Sequence, residues 1–290
     1  MTNKVRFFSL ASIVFQHNRR LPGWSEVNEL ELTRLFIYPL KSAQGIEVAS
    51  AKVTERGLEH DRRFMLVDPD GNLVTARQKA KLLMVSTRIE SEHLILCAPN
   101  VSELRVPLQP EGPQRQVRVW FDWMLGLDVG VEASAWFSDL FTSSLSLVWM
   151  PEYSERRMNP EFGPSRLSFA DGNPLHLIQE SSLHDLENRV GMPLGVERFR
   201  PNLVVRGTDA YAEDGWSKLS LGTLELKVYE ACARCMMLNL EPTTGGIGLE
   251  PLRTLAGYRR QGKKVLFGQH LHTLNFGELR VGQRGTAENI

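Results

Sequence analysis

Cysteine is scarce in this sequence. Its 290 residues include three, Cys97, Cys232 and Cys235. An odd, small number in a chain of this length excludes a disulfide-stapled secreted scaffold and points to a reducing compartment, so a cytoplasmic location is expected. The Asn100-Val101-Ser102 triplet is then a chance sequon that no oligosaccharide meets. An excess of one charge is also missing: 34 basic residues balance 34 acidic ones. A chain built to bind a nucleic-acid polymer or an anionic membrane would carry a basic surplus. No apolar run approaches the ~20 residues of a transmembrane segment. The nearest runs from Phe7 to Phe15 and is broken by Ser9 and Ser12. Phosphate and nucleophile signatures are missing as well. Gly245-Gly246-Ile247-Gly248 has the wrong spacing for a dinucleotide fingerprint and reads as a turn. Gly262-Lys263-Lys264 lacks the preceding glycine and the Ser/Thr of a P-loop. No GxSxG elbow, no HExxH and no second CxxC occurs, which leaves a structural zinc site without ligands.

What is present reads as an ordinary globular chain, 42% hydrophobic and 23% charged, long enough for about two domains. Residues 1–29 are expected to be a loosely attached extension, peripheral to any chemistry. Their apolar run is flanked by Lys4 and Arg6 before and His17, Arg19 and Arg20 after, with no acidic residue until Glu26, so a targeting segment is the second reading. From Leu32 onward the pattern turns to short strands and frequent turns. Leu35 and Ile37 lead into Pro39, and Phe64 to Val67 enters a hairpin turn at Asp68-Pro69-Asp70-Gly71-Asn72. Val117, Val119 and Phe121 alternate with polar or wet positions, as do Leu224, Leu226 and Val228. Helices are few. Ser182 with Asp185 gives a capping-box pattern, Leu183, Leu186 and Val190 share a face, and Gly191 supplies the stop. Ser134 to Phe141 is the second candidate. The expected fold class is α+β, predominantly β and barrel-like. Pro151 to Pro164, rich in Pro, Glu and Arg, is the candidate connector between modules.

Cys232-Ala233-Arg234-Cys235 is the strongest local signal, and it closes a period-two strand. A thiol–disulfide centre normally opens a helix instead. A buried pair without chemistry is one reading, and a single soft thiolate bound to a metal-bearing cofactor is another. A cofactor held by one thiolate would need cationic anchors. Candidates are Lys41-Ser42 after the first strand, Arg62 and Arg63 before the Phe64 strand, and Arg198 and Arg200 before Pro201-Asn202. His270 and His272 lie on one side of a strand and read as an exposed edge pair.

Several segments in order resemble a known family. Leu32 to Ser42 with Gly45, Gly57-Leu58, Asp61-Arg62-Arg63-Phe64 and Thr75-Ala76-Arg77-Gln78 look like the N-terminal β-barrel module of two-domain MOSC proteins. Phe169-Ala170-Asp171-Gly172, Phe199-Arg200-Pro201-Asn202, Tyr211-Ala212-Glu213-Asp214, Arg234-Cys235 and Phe267-Gly268-Gln269 look like the MOSC domain itself. The resemblance is to bacterial YcbX-like proteins and the mitochondrial amidoxime-reducing component. It divides the chain into a smaller N-terminal β-barrel-like module at 30–150 and a MOSC-type β-barrel domain at 151–290.

That resemblance implies a molybdenum cofactor (molybdopterin) enzyme that reduces N-hydroxylated small molecules: hydroxylamines, amidoximes and N-hydroxylated bases. It places the metal on Cys235, the catalytic position, and cofactor contacts on Lys41, Ser42, Arg63, Gly172, Asn173, Arg200, Asn202, Ala233 and Arg234. Ala233 replaces a serine of the mitochondrial relatives, and Glu241-Pro242 replaces their Asp-Pro. No four-cysteine run is present for an iron–sulfur cluster, so electrons are expected from a separate ferredoxin or flavoprotein. The alternative the resemblance carries is a sulfur carrier or cofactor-handling protein using a cysteine persulfide. Pyridoxal phosphate is also associated with the family, but no recognisable desulfurase domain accompanies it here.

Overall fold

A computed structural model describes residues 27–290. Its larger part is a closed barrel of seven strands. Around the ring they run Leu175–Gln179, Leu203–Arg206, Val27–Ile37, Arg284–Asn289, Trp216–Leu221, Leu224–Ala233 and Lys264–Thr273, and the last pairs back onto the first. Alternation explains the closure. Along Leu224–Ala233 the apolar Leu224, Leu226 and Val228 are buried, while Glu225 and Lys227 face water. They meet Leu32, Leu35, Leu177, Leu203, Leu219, Leu271 and Ala287 inside the barrel. Leu175–Gln179 is buried on both faces because the helix Glu180–Val190 covers its outside. There Ile178 joins Leu186, Phe199, Leu255 and Phe267 in an outer core. That helix is the crossover that lets Leu175–Gln179 and Leu203–Arg206 run parallel.

The first strand begins at Val27 and pairs Val27 with Glu288 and Glu29 with Thr286. Residues 27–29, expected in the extension, are therefore barrel residues, and the expectation for 1–26 falls outside the described residues. The division at 150/151 is crossed as well, since Val27–Ile37 closes a barrel otherwise made of later residues.

The smaller module joins a five-stranded sheet, a three-stranded sheet and the helix Val131–Phe141 around one core that includes Leu66, Leu94, Leu96, Phe137 and Leu147. Phe64–Val67 is apolar at every position because both of its faces are covered: Phe64 and Leu66 enter this core, Met65 and Val67 a second one. The inward alternation of Gln114–Val119 stops at Val119. Phe121, expected on the same face, sits in the turn before Asp122–Asp128 and is 97% exposed. Gly191 ends its helix in the left-handed region, φ 79°. Ser182 is not the cap: Glu180 already opens the helix. Its hydroxyl instead donates to Glu213 and accepts from the Tyr211 amide.

Residues between Trp149 and Leu175 form no helix or strand. Two buried arginines hold this connector. Arg56 donates to the carbonyls of Glu152, Ser154 and Leu167, and Arg156 to those of Ser168, Ala170 and Asp171. Backbone acceptors that a buried irregular segment would otherwise leave unpaired are satisfied in this way.

Glu213 is 1% exposed. Burial pushes its carboxyl up to about 7, against the opposing Ser182 hydrogen bond. The folded form thus binds the proton more tightly than the unfolded chain. Glu213 costs stability as pH rises from the ordinary carboxyl range to about 7, and the cost is constant above that. Glu213→Gln keeps an acceptor for Ser182. It is expected to change stability little near pH ~4 and to stabilise by up to about 3 kcal/mol near pH ~8. Thermal melts of both proteins at the two pH values check this, and an equal difference at both would refute it.

Candidate active site

Three loops reach the barrel mouth through backbone turns that non-glycine residues rarely make. Ser42 (φ 71°), Arg62 (φ 51°) and Arg200 (φ 57°) are all left-handed. Such strain concentrates at functional sites, where surrounding contacts over-determine it. Those contacts centre on Tyr38, which follows the first strand and is 1% exposed. Its hydroxyl donates to the Pro201 carbonyl and its amide to Asp61. The Arg62 and Arg200 guanidiniums each lie 4.3 Å from its ring centre. Asn202 ties the loops together: its carbonyl oxygen accepts from the His176 amide and Arg62, and its amide donates to Phe36 O.

The cations differ in how much of their bonding capacity is spent. Lys41 is buried, and its ammonium donates to Phe169 O (2.7 Å) and to Asp171 (2.6 Å). Burial brings it down to about 8, although Asp171 opposes the shift. For Asp171, burial pushes upward, but Lys41, Arg77 and the Trp120 indole outweigh it and hold the carboxyl below its ordinary range. Arg200 is lowered to about 10 by burial. One of its terminal nitrogens donates to Ala43 O; the rest of its fork has no side-chain or carbonyl partner among the described residues.

The sulfur side is built where Leu224–Ala233 ends. The Arg234 amide donates to Val265 O, which holds the chain to the neighbouring strand up to the residue before Cys235. A 3₁₀ turn, Met236–Asn239, follows, and Arg198 fixes it through Leu238 O, Leu240 O and Glu241. All three cysteines are free; Cys232 is buried and Cys235 exposed. Arg77 points an N–H at the Cys235 sulfur (3.5 Å), lies 3.5 Å from Asp171, and stacks over Trp120. Arg234 donates to the Cys232 sulfur at 3.0 Å. Burial pushes the Cys232 thiol up, but Arg234, His270 and His176 together bring it well below its ordinary value.

These parts line one cavity of about 190 Å³. Lys41, Ser42, Gly172, Asn173, Arg200, Asn202, Ala233, Arg234 and Cys235 all lie on its wall. Arg63 does not. Its guanidinium donates to Met150 O and Glu152 and lies over Trp149. Its neighbour Arg62, left-handed at φ 51°, lies on the cavity wall instead. Arg62 and Arg198, candidate anchors from the sequence, also line it, and so do Thr75, Arg77, Asp171, His176, Cys232 and His270, which were not among the expected contacts. Arg77 and Asp171 did fall inside motifs noted in the sequence, whereas His176 carried no signal. His270 and His272 are not an exposed edge pair: their strand is interior, between Leu224–Ala233 and Leu175–Gln179, and His272 is 5% exposed. No group of three metal-binding side chains occurs among the described residues. Any metal at Cys235 would need most of its ligands from outside the chain.

Two family descriptions match: MOSC N-terminal beta barrel domain over residues 29–144 and MOSC domain over 164–285. The mitochondrial amidoxime-reducing component 1 of Mus musculus is 35% identical over 272 residues, covering 87% of this chain and 80% of that protein. Component 2 of Bos taurus is 35% identical over 285 residues, covering 91% and 83%. Component 2 of Homo sapiens is 34% identical over 272 residues, covering 87% and 81%. With both modules matched in order and identity sustained along most of its length, the chain belongs to the two-domain MOSC family that includes the mitochondrial amidoxime-reducing components.

Proposed function

We propose that this protein is a molybdenum-cofactor oxidoreductase that reduces N-hydroxylated small molecules with electrons from a separate ferredoxin or flavoprotein. The observation that carries this reading is one cavity whose wall holds both an exposed, free cysteine sulfur and a cluster of guanidiniums. The donor set fits the group. A lone soft thiolate suits a metal that arrives with its own sulfur ligands, and a guanidinium with free N–H groups suits a phosphate. Cys235 would hold the metal. Arg200 and Arg62 would hold the anionic end, and Ser42, Asn202, Arg234 and the backbone around Gly172, Asn173 and Ala233 would line the rest. When bound, the cofactor supplies the two-electron redox step, and the chain supplies binding and orientation. Lys41 would take part as well: two of its three N–H donors go to Phe169 O and Asp171, which fixes the 169–171 loop beside the cavity, and the third is left for the anionic end. Three cysteines fall short of the four thiolates of a common iron–sulfur cluster, which supports an external electron donor. Their free state suits a reducing compartment, and the cytoplasm is part of the proposal. No helix among the described residues is long and apolar enough to cross a membrane.

Elemental and pterin analysis of purified protein, coupled to reduction of a benzamidoxime-type substrate by an artificial reductant, tests the reading. Wild type is expected to retain molybdenum and turn over. Cys235→Ala is expected to lose both. Full metal content and activity in that variant would refute the assignment, and persulfide on Cys235 without retained molybdenum would select the sulfur-carrier function instead.

The two arginines separate the structure from the sequence expectation. Arg200→Met removes charge-assisted hydrogen bonds to an anion and is expected to weaken cofactor retention by about tenfold or more. Arg63→Met is expected to leave retention unchanged. Cofactor content after extended dialysis of both variants checks this, and the opposite ranking would overturn it.

A further inference from the structure

Reduction of an N–OH group consumes two protons, and a donor must reach the departing oxygen inside the cavity. Two histidines on the cavity wall face each other across the barrel seam. His176, on Leu175–Gln179, and His270, on Lys264–Thr273, are direct cross-strand partners with ring centres 5.7 Å apart.

Their surroundings differ. A terminal nitrogen of Arg234 lies 3.3 Å from His176 Nε2. A guanidinium only donates, so Nε2 accepts and the ring is neutral with its proton on Nδ1. The seat of this ring also requires Gly268, where a Cβ would come within 2.6 Å of His176 Nε2. His270 has no such restraint. Its Nδ1 is buried and has no hydrogen-bond partner among the described residues. Buried polar atoms of this kind are rare and call for an explanation. Here it means that no protein group fixes a proton on Nδ1, and because that nitrogen is sealed off, a proton passed into the cavity leaves from Nε2. On its other side the ring stacks with Tyr229, whose hydroxyl donates to Asn173, itself on the cavity wall. The charged and titratable groups around His270 are His176, Cys232, Tyr229, Glu230 and His272, which packs on the same Tyr229 ring, with Arg234 beyond them on His176 and Cys232. Glu230 is the Cα partner of His270 on Leu224–Ala233 and is paired to Lys264.

We propose that His270 donates the proton taken by the departing oxygen, and that His176 is a positioning residue held neutral by Arg234. This inference rests on the reading of the site as an N-hydroxy reductase. In the overall step R–NH–OH, two electrons and two protons give R–NH₂ and water. The N–O bond breaks, the oxygen takes the His270 proton and leaves as water, and the nitrogen takes the second proton from solvent. The electrons come from a reduced electron-transfer protein, or from dithionite-reduced methyl viologen in the assay. His270 is then reprotonated from water.

The experiment uses the cofactor-loaded protein, benzamidoxime and reduced methyl viologen, with kcat followed from pH ~5 to ~9. His270→Gln is expected to lower kcat by about 10²-fold, with KM and molybdenum content unchanged and the pH dependence of kcat flattened. His270→Ala is expected to recover activity with added imidazole, which separates proton transfer from a loss of packing. Nitrogen-15 NMR of the histidine rings gives a readout independent of turnover: a titrating imidazole in wild type that is absent in His270→Gln. An active wild type whose His270→Gln variant keeps kcat and its pH profile overturns the proposal. So does a His270 ring that stays neutral throughout, which also decides the matter should the variants fail to fold. A metal-loaded wild type that reduces no N-hydroxylated substrate overturns the reductase reading, and this inference with it.

Discussion

A cation removed from water must find oxygen, and where carboxylates are few the oxygen comes from the backbone. Moving an ammonium or guanidinium into a low-dielectric interior costs several kcal/mol even after relaxation. Arg56 and Arg156 are 4% and 5% exposed, and each is answered mainly by three carbonyls of the connector. Lys41 is answered by Phe169 O and Asp171. The same bonds therefore satisfy the buried charges and fix the path of residues 151–174, which have no helix or strand to hold them. Because that path ends at Asp171, Gly172 and Asn173, the cavity wall inherits its shape from these pairings.

The cavity reverses the arrangement. Lys41, Arg62, Arg77, Arg198, Arg200 and Arg234 face it against one carboxylate, Asp171. Internal partners account for part of the charge: Lys41 is tied to Asp171, Arg62 to Asp61 and Arg198 to Glu241. Arg77 shares Asp171, while Arg200 and Arg234 have no carboxylate partner among the described residues. An overall charge of zero thus coexists with a local cationic excess suited to a small anion. Position within the fold makes this excess, and composition cannot reveal it.

Much of the fold was legible because strand alternation is local. Leu224 to Val228 and Phe64 to Val67 declared their buried faces in the sequence, and Gly191 declared a helix end. The convergence of Lys41, Arg200 and Cys235 was legible only as a resemblance, since those residues are brought together by barrel closure. What stayed hidden depends on backbone direction or register. The choice between Arg62 and Arg63 turns on a left-handed φ that residue identity does not announce. Ser182 fits a cap pattern, yet it bonds to Glu213 and the Tyr211 amide because the helix opens at Glu180. His176 opposes His270 only because Leu175–Gln179 closes the barrel against Lys264–Thr273, a pairing between strands almost a hundred residues apart.

The same register separates the two cysteines of the CxxC motif. Cys232 is still within the strand, so its side chain is drawn into the barrel wall among His176, His270 and Arg234. Cys235 lies beyond the strand's last residue, Ala233, at the start of the 3₁₀ turn that Arg198 holds in place. It is exposed, with Arg77 beside its sulfur. A metal brought in by a cofactor needs a sulfur that can be approached from outside, and Cys235 meets that requirement. Cys232 meets a different one. Its thiol is held well below its ordinary value because Arg234 and the two imidazoles surround it, against the effect of burial. Two residues of sequence between the cysteines thus become two environments, one open to a ligand and one buried among cationic and imidazole groups.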